Sequence, residues 1–368
     1  MKKEGGVEVT YQAEINLSNK FFELLFRPKM ALIANNTVKK LKRALEREKK
    51  PLNYKKAKVS LFNIFQKFTK SGWKKQKKYF LATFDKQKTV LITGATSGLG
   101  LSCAETLAGK GCNLILVGRS ENKIKKVESD FKKRGYTGNI SYYLCDMENT
   151  KEVNRVCHKI LEEIPKLDAI INNAGALYND EQILNGIERS TLVNVVAPYL
   201  FSKMLVPLLK ENEGCIVNVS SGGMYSTPLS IESLKKSPRP YSGPKAYAYA
   251  KRGQVVFSDF LNNEYRENKV KVHSMHPGWA NTPGVSSSLP GFFKLLKNFL
   301  RTPFEGADTL VWLVMKNPEK GGFFWLDRKP QRVHILNSTK KSKDSPEDLM
   351  AFLENFQEKE KTSDKVSL

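Results

Sequence analysis

The chain has 368 residues, of which 40% are hydrophobic and 27% charged, with 61 lysines and arginines against 37 acidic residues and a formal net charge of +24. That apolar share supports a large core and excludes wholesale disorder, and no apolar run approaches the roughly 20 residues that a membrane-spanning helix needs. The charge is uneven: residues 1–88 hold 23 basic against 7 acidic residues, which marks a basic extension on a nearly ordinary domain.

Residues 1–56 are polar and lysine-rich, with a charged stretch from Val38 to Lys49 that has little to bury, and they are expected to hold little fixed structure. No secretory leader is expected, because the run Phe21 to Phe26 is too short to form its apolar core. Residues 57–87 differ, since Leu61, Ile64, Phe65, Phe68, Trp73, Phe80 and Phe84 interleave with lysines. Two readings of 57–84 stand open: a segment that meets an anionic membrane surface, or one that packs on the next domain with its lysines in water. Nucleic acid is not expected as a partner, because the basic residues fall on no recognised nucleic-acid motif.

From Thr89 the pattern becomes short apolar runs alternating with amphipathic stretches, which predicts repeated βα units on a parallel sheet. Strands are expected at Thr89–Thr93, Asn113–Val117, Ser141–Cys145, Ala169–Asn172, Cys215–Val219 and Lys271–Met275. Helices are expected over Leu101–Lys110 and Asn122–Arg134, and from Tyr247 through Leu261. In the tail, 336–368, Ser345 caps and Pro346 opens a short helix with Leu349, Phe352, Leu353 and Phe356 on one face. Cys103, Cys112, Cys145, Cys157 and Cys215 are odd in number and form no CxxC pair, so they read as reduced, buried thiols of a cytoplasmic chain. The same location allows association with a membrane or lipid-droplet surface. His158, His273, His276 and His334 are scattered singly, and no metal site is expected.

Gly94, Ser97, Gly98, Leu99 and Gly100 make a glycine-rich turn between the first predicted strand and its helix. Glycines let the backbone approach a pyrophosphate, and the helix N-terminus would meet its charge. The spacing, Gly-x-x-x-Gly-x-Gly, taken alone also suits a plain structural turn. The second strand runs into Gly118-Arg119-Ser120. With no carboxylate there to hold a ribose 2′-hydroxyl, and a guanidinium suited to a 2′-phosphate, NADP(H) is expected over NAD(H).

Tyr247 and Lys251 stand one helical turn apart, downstream of Ser220 and Ser221. A phenol titrates near pH ~10, and Lys251 is expected to hold Tyr247 lower by favouring its phenolate. Tyr241 and Lys245 share the spacing, but Pro244 removes a donor and clashes with the preceding turn, so they are not expected to share a helical face. Tyr249 has Gly253, not lysine, four residues on.

Thr93-Gly94-x-x-x-Gly98-x-Gly100, Asn172-Asn173-Ala174-Gly175, Ser221, Tyr247-x-x-x-Lys251 and Pro277-Gly278-x-x-x-Thr282 occur in the order of the short-chain dehydrogenase/reductases. Over residues 88–335 the chain resembles that family, with finer matches to its retinol-dehydrogenase-like branch. The resemblance implies an α/β, Rossmann-type doubly wound sheet of about seven parallel strands, carrying the basic N-terminal extension. It implies a catalytic set of Asn194, Ser221, Tyr247 and Lys251. Tyr247 would exchange a proton with the substrate oxygen, Ser221 would bind that oxygen, Lys251 would bind the nicotinamide ribose, and Asn194 would support a water-mediated proton relay. Asp146 would contact adenine, while Asn173, Ala174, Gly175, Pro277, Gly278 and Thr282 would lie beside the cofactor. Ser220 and His276 are expected to be structural. The apolar stretch Ser286–Leu300 would be a lid over a small lipophilic carbonyl or alcohol, although a helix simply packed on the domain suits the same pattern. The rival reading is a cofactor-binding scaffold, or a membrane-associated interaction protein with little catalysis.

Overall fold

Runs such as Thr-Val-Leu-Ile-Thr and Ala-Ile-Ile-Asn put branched apolar side chains on both faces of the backbone, and a strand of that kind is stable only when both faces are covered. In the computed structural model they become β1 (Thr89–Thr93) and β4 (Ala169–Asn172), at the centre of one sheet. Residues 67–74, 87–211 and 213–354 are described. The extension 1–56, the flanks of 67–74, and Phe356 lie outside the described residues.

The other strands are β2 (Asn113–Gly118), β3 (Ile140–Leu144), a small β5–β6 hairpin (Ile183–Leu184 and Ile187–Glu188), β7 (Cys215–Val219), β8 (Lys271–Met275), β9 (Phe324–Leu326) and β10 (Lys329–Gln331). The large sheet has the order β10-β9-β8-β7-β4-β1-β2-β3. Its pairs are parallel except β9–β10, so the expected seven parallel strands are present with an antiparallel edge strand added. Four of the six predicted strands have the predicted limits. β3 lies one residue earlier, although Cys145 N–H still donates to the Gly118 carbonyl at 3.1 Å and carries the ladder past its end.

Helices cover both faces. Leu91, Ile115, Ile170 and Ile216 point to one layer, which holds α3 (Thr150–Glu163), α4 (Ala197–Met204) and α5 (Gly243–Glu264); Val90, Ile92, Leu114 and Val217 point to the other, with α1 (Gly98–Ala108), α2 (Glu121–Lys133) and α6 (Pro303–Lys316). This alternation is the period of two that a doubly wound sheet requires. The tail helix 346–354 forms as predicted: Ser345 and Asp348 cap each other's amides at 2.8 and 3.1 Å, and Leu349 and Leu353 enter the first layer. All five cysteines are free and buried. No helix of the described residues is long and apolar enough to cross a membrane.

The chain leaves β1 toward β2 and β3 on one side and returns to β4 on the other. In open α/β sheets that reversal opens a crevice at the strands' carboxyl ends. The predicted site residues gather there.

Candidate active site

β1 ends at Thr93 and turns through Gly94, whose φ of 67° lies in the left-handed region. Gly94 N–H donates to the Val117 carbonyl at 2.8 Å, so the turn grows directly out of the β1–β2 ladder. Ser97 is the N-cap of α1, yet its hydroxyl makes no capping hydrogen bond, which leaves the first-turn amides without a side-chain partner. A Cβ on Gly100 would stand 2.3 Å from the Gly94 oxygen and 2.4 Å from Asn173 Nδ2. Bare backbone joined to an uncapped helix N-terminus fits a pyrophosphate, so the residues present suit the dinucleotide that the sequence suggests.

The loop after β4 is tied to this turn. Thr93 Oγ1 accepts from Asn173 N–H at 3.1 Å and Ala174 N–H at 3.0 Å, and Asn173 Nδ2 donates to the Thr93 and Gly94 carbonyls at 3.0 and 3.2 Å. Asn172 points the other way and joins the sheet to α4 and β7, donating to Ser202 Oγ at 3.0 Å and Asn218 Oδ1 at 2.8 Å. Arg119 is exposed directly after β2; against the upward pull of burial, Arg189 and Tyr178 hold the Glu148 carboxyl below its usual range, with a smaller contribution from the Arg119 charge. Asp146, two residues past β3, accepts from Glu148 N–H at 3.1 Å.

Asn194 sits in a π-helical turn, Leu192–Val196, a one-residue widening that sequence periodicity does not reveal. Its Nδ2 donates to the Ala176 and Ser190 carbonyls at 2.9 and 2.7 Å, while its Oδ1 is buried with no partner among the described residues. Lys251 is buried in α5; its Nζ donates to the Val219 carbonyl at 2.7 Å and to Gln254 Oε1 at 3.1 Å. The ammonium stands 5.5 Å from the Tyr247 ring centroid. Ser221 acts on the Tyr247 phenol, pulling it down against burial, and accepts from Gly223 N–H at 3.2 Å. Ser220 is a strand-end bonder, donating to the Lys251 carbonyl at 3.0 Å.

The electrostatics differ from expectation. Burial pushes the Tyr247 phenol up to about 12, partly offset by Ser221, and pulls Lys251 down to about 7. The Lys251 nitrogen is turned to a carbonyl and an amide oxygen, both of which favour its ammonium form. The decoy pair is separated as predicted, for a modified reason. Pro244 lies at the start of α5, where its missing N–H costs nothing, and so leaves Tyr241 ahead of the helix. There Tyr241 donates to the Tyr178 carbonyl at 3.2 Å.

Pro277 to Thr282 close the crevice from the β8 side. A Cβ on Gly98 would meet the Thr282 side chain at 3.2 Å, and Gly278 has a φ of 77°. Two short helices follow, Pro283–Ser288 and Pro290–Leu296, and Ser288 Oγ reaches across to the Leu177 carbonyl at 2.9 Å. Leu296 and Leu300 are buried and Phe299 is half exposed. His276 is buried under Gly222 and edge-on to Phe68, as a structural residue would be. Of the two readings of 57–84, the described part follows the packing one: Phe68 and Trp73 are buried against the domain.

Sequence reasoning missed Gln254, which fixes the Lys251 amine from the next helical turn, and Thr93 as the anchor of the Asn173 loop. It also missed Arg301. Gln254 had a readable signal, an amide three residues beyond Lys251 on the same face.

A family profile described as short chain dehydrogenase matches residues 88–290. Dehydrogenase/reductase SDR family member 12 of Homo sapiens is 31% identical over 303 residues, covering 79% of this chain and 94% of that protein. Retinol dehydrogenase 13 of Homo sapiens is 28% identical over 235 residues, covering 63% and 69% respectively. Among solved structures, L-sorbose reductase from Gluconobacter frateurii, complexed with NADPH and L-sorbose, matches with a TM-score of 0.53 at 20% identity over 71% of this chain and 100% of that one. The chain belongs to the short-chain dehydrogenase family, Rossmann-type oxidoreductases acting on alcohol and carbonyl groups.

Proposed function

We propose that the chain is an NADP(H)-dependent reductase of lipophilic carbonyl compounds, with Asn194, Ser221, Tyr247 and Lys251 as its working set. The observation that carries this reading is the convergence of the set: Lys251 Nζ stands 5.5 Å from the Tyr247 ring, and the amine and Asn194 Oδ1 face the same gap at Gly175. A phenol at that point can exchange a proton with the substrate oxygen, as acid in reduction and as base in the reverse reaction.

Bound nicotinamide supplies the hydride. Ser221 holds the substrate oxygen, and Tyr247 passes its proton to that oxygen as negative charge develops there. Lys251 meets the ribose hydroxyls and carries the replacement proton. Asn194 Oδ1, buried beside the lysine without a partner among the described residues, is the acceptor for a water that links the site to solvent. Gly94, Ser97, Gly98, Leu99 and Gly100 receive the pyrophosphate and Asp146 receives the adenine. Asn173, Ala174, Gly175, Pro277, Gly278 and Thr282 line the nicotinamide half.

Support for NADP(H) is Arg119 at the end of β2, where an NAD-type site carries a carboxylate, together with the NADPH in the sorbose reductase structure. Support for a lipophilic substrate is the apolar lid stretch, tied across the crevice by Ser288, and the similarity to a retinol dehydrogenase. We place the protein on the cytosolic side, where its five thiols stay reduced. A lipid surface would be met by the basic, aromatic sequence flanking 67–74, because Phe68 and Trp73 themselves are buried. NADPH consumption over a panel of lipophilic aldehydes and ketones tests this function, with Tyr247→Phe as control. Turnover by wild type and loss in the variant are expected; equal rates would exclude the mechanism.

A further inference from the structure

Arg301 is fully buried in the described structure, and every part of its guanidinium is spent. Nη1 and Nη2 grip the two Asp327 carboxylate oxygens at 2.7 and 3.0 Å, Nε donates to the Thr69 carbonyl at 3.1 Å, Nη2 also donates to the Lys67 carbonyl, and Nη1 to the Pro277 carbonyl at 3.3 Å. A Cβ on Gly278 would lie 2.3 Å from Nε, so the loop after β8 rests its bare backbone on the guanidinium. The main chain repeats the connection: Trp279 N–H donates to the Phe68 carbonyl, Arg301 N–H to the Trp279 carbonyl, and Asn281 N–H to the Arg301 carbonyl, each at 2.7 Å. Phe68 packs on His276 at 4.7 Å and on Trp279 at 5.5 Å between ring centroids.

The acid in this clamp is held at a conformational cost. Asp327 and Arg328 form the β9–β10 turn with φ of 53° and 58°, a left-handed pair usually given to glycine and asparagine. Two buried ion pairs, Asp327 with Arg301 and Arg328 with Asp308, fix that turn. A planar fork with five donors is what such a junction needs, and lysine cannot replace it.

We propose that residues 67–70, Arg301 and Asp327 are positioning elements of the oxidoreductase site: a clasp from ahead of the dinucleotide-binding domain that sets the Pro277–Asn281 loop against the nicotinamide half of the cofactor. The inference rests on the family reading of that loop and extends it, since residues 67–70 precede the span matched by the family profile. The clasp's hydrogen bonds run to the loop after β8 and to the β9–β10 turn, so it is expected to govern the nicotinamide half more than the adenosine half.

The test uses full-length Phe68→Ala and Arg301→Lys proteins and two calorimetric titrations, with NADPH and with 2′,5′-ADP, which lacks the nicotinamide half. Both variants are expected to lose NADPH affinity by on the order of tenfold or more, while 2′,5′-ADP binding holds. Equal losses for both ligands, or no loss for either, overturn the clasp. Hydrogen exchange on the ligand-free proteins gives a readout independent of the cofactor. Amides 279–281 are expected to exchange faster in Phe68→Ala with Leu114–Val117 unchanged; unaltered protection at 279–281 overturns the proposal even if Arg301→Lys fails to fold. Wild type that binds neither ligand sinks the family reading itself, a result distinct from the others.

Discussion

Lys251 Nζ and Asn194 Oδ1 face the same bare carbon: a Cβ on Gly175 would stand 3.3 Å from the amine and 2.8 Å from the amide oxygen. One atom comes from a long helix packed under the sheet and the other from a π-turn on a separate helix. The loop between them carries no side chain at the point of closest approach, and that point is exposed to the crevice. Gly175→Ala fills it. The variant is expected to fold, since its φ is not in the left-handed region, and to lose turnover by on the order of a hundredfold through displacement of both groups. Steady-state kinetics beside a thermal melt would check this; full activity would mean that the convergence is incidental.

Lys251 makes a second prediction through its proton. Its pKa is about 7 in the fold against an ordinary 10.5. Between those values the unfolded chain binds more protons than the folded one, so stability rises with pH across the window, by at most ~1.36 kcal/mol per unit. Urea unfolding of ligand-free protein at pH 7.5 and 9.5 should show that rise, and Lys251→Met should flatten it. An identical slope in the variant would assign the pH dependence elsewhere.

His276 behaves in the same sense at lower pH. Burial and the nearby Arg301 charge pull it down to about 3 from 6.5, and both ring nitrogens lack partners among the described residues. Folding therefore loses stability as pH falls below 6.5, where the unfolded histidine takes a proton that the folded one refuses. Because no hydrogen bond is lost, His276→Met is expected to be close to neutral at pH 8 and less acid-sensitive than wild type by up to ~1.4 kcal/mol per unit. Melting curves from pH 8 to 5 decide it; a variant that is equally acid-sensitive would rule His276 out as the source.

Arg119→Glu should reverse cofactor choice. A carboxylate at the end of β2 accepts a ribose hydroxyl and repels a 2′-phosphate, so NADPH affinity should fall by at least about tenfold relative to NADH. Competition binding with the two cofactors would measure the ratio, and an unchanged ratio would remove Arg119 from phosphate recognition.

Much of this was legible because it depends on local pattern. The predicted strands are runs of branched apolar residues, and the glycine turn, Arg119 and the Tyr247–Lys251 pair follow from short spacings. Pro244 told apart two identical spacings because proline tolerates only the start of a helix. What stayed hidden depends on contacts far apart in the chain. Arg301 binds the Thr69 carbonyl across 232 residues, and no periodicity encodes that. The β9–β10 turn escaped because Asp327 and Arg328 take left-handed angles without glycine. The phenol's upward shift escaped because it comes from its surroundings in the fold, which a pair of residues cannot report.

The most direct measurement of the central claim follows the hydride itself. With NADPH deuterated at the nicotinamide C4 and a lipophilic aldehyde as substrate, wild type should form an alcohol carrying deuterium on its carbinol carbon, and Tyr247→Phe should not. Alcohol without the label, or labelled alcohol formed equally by the variant, would contradict it.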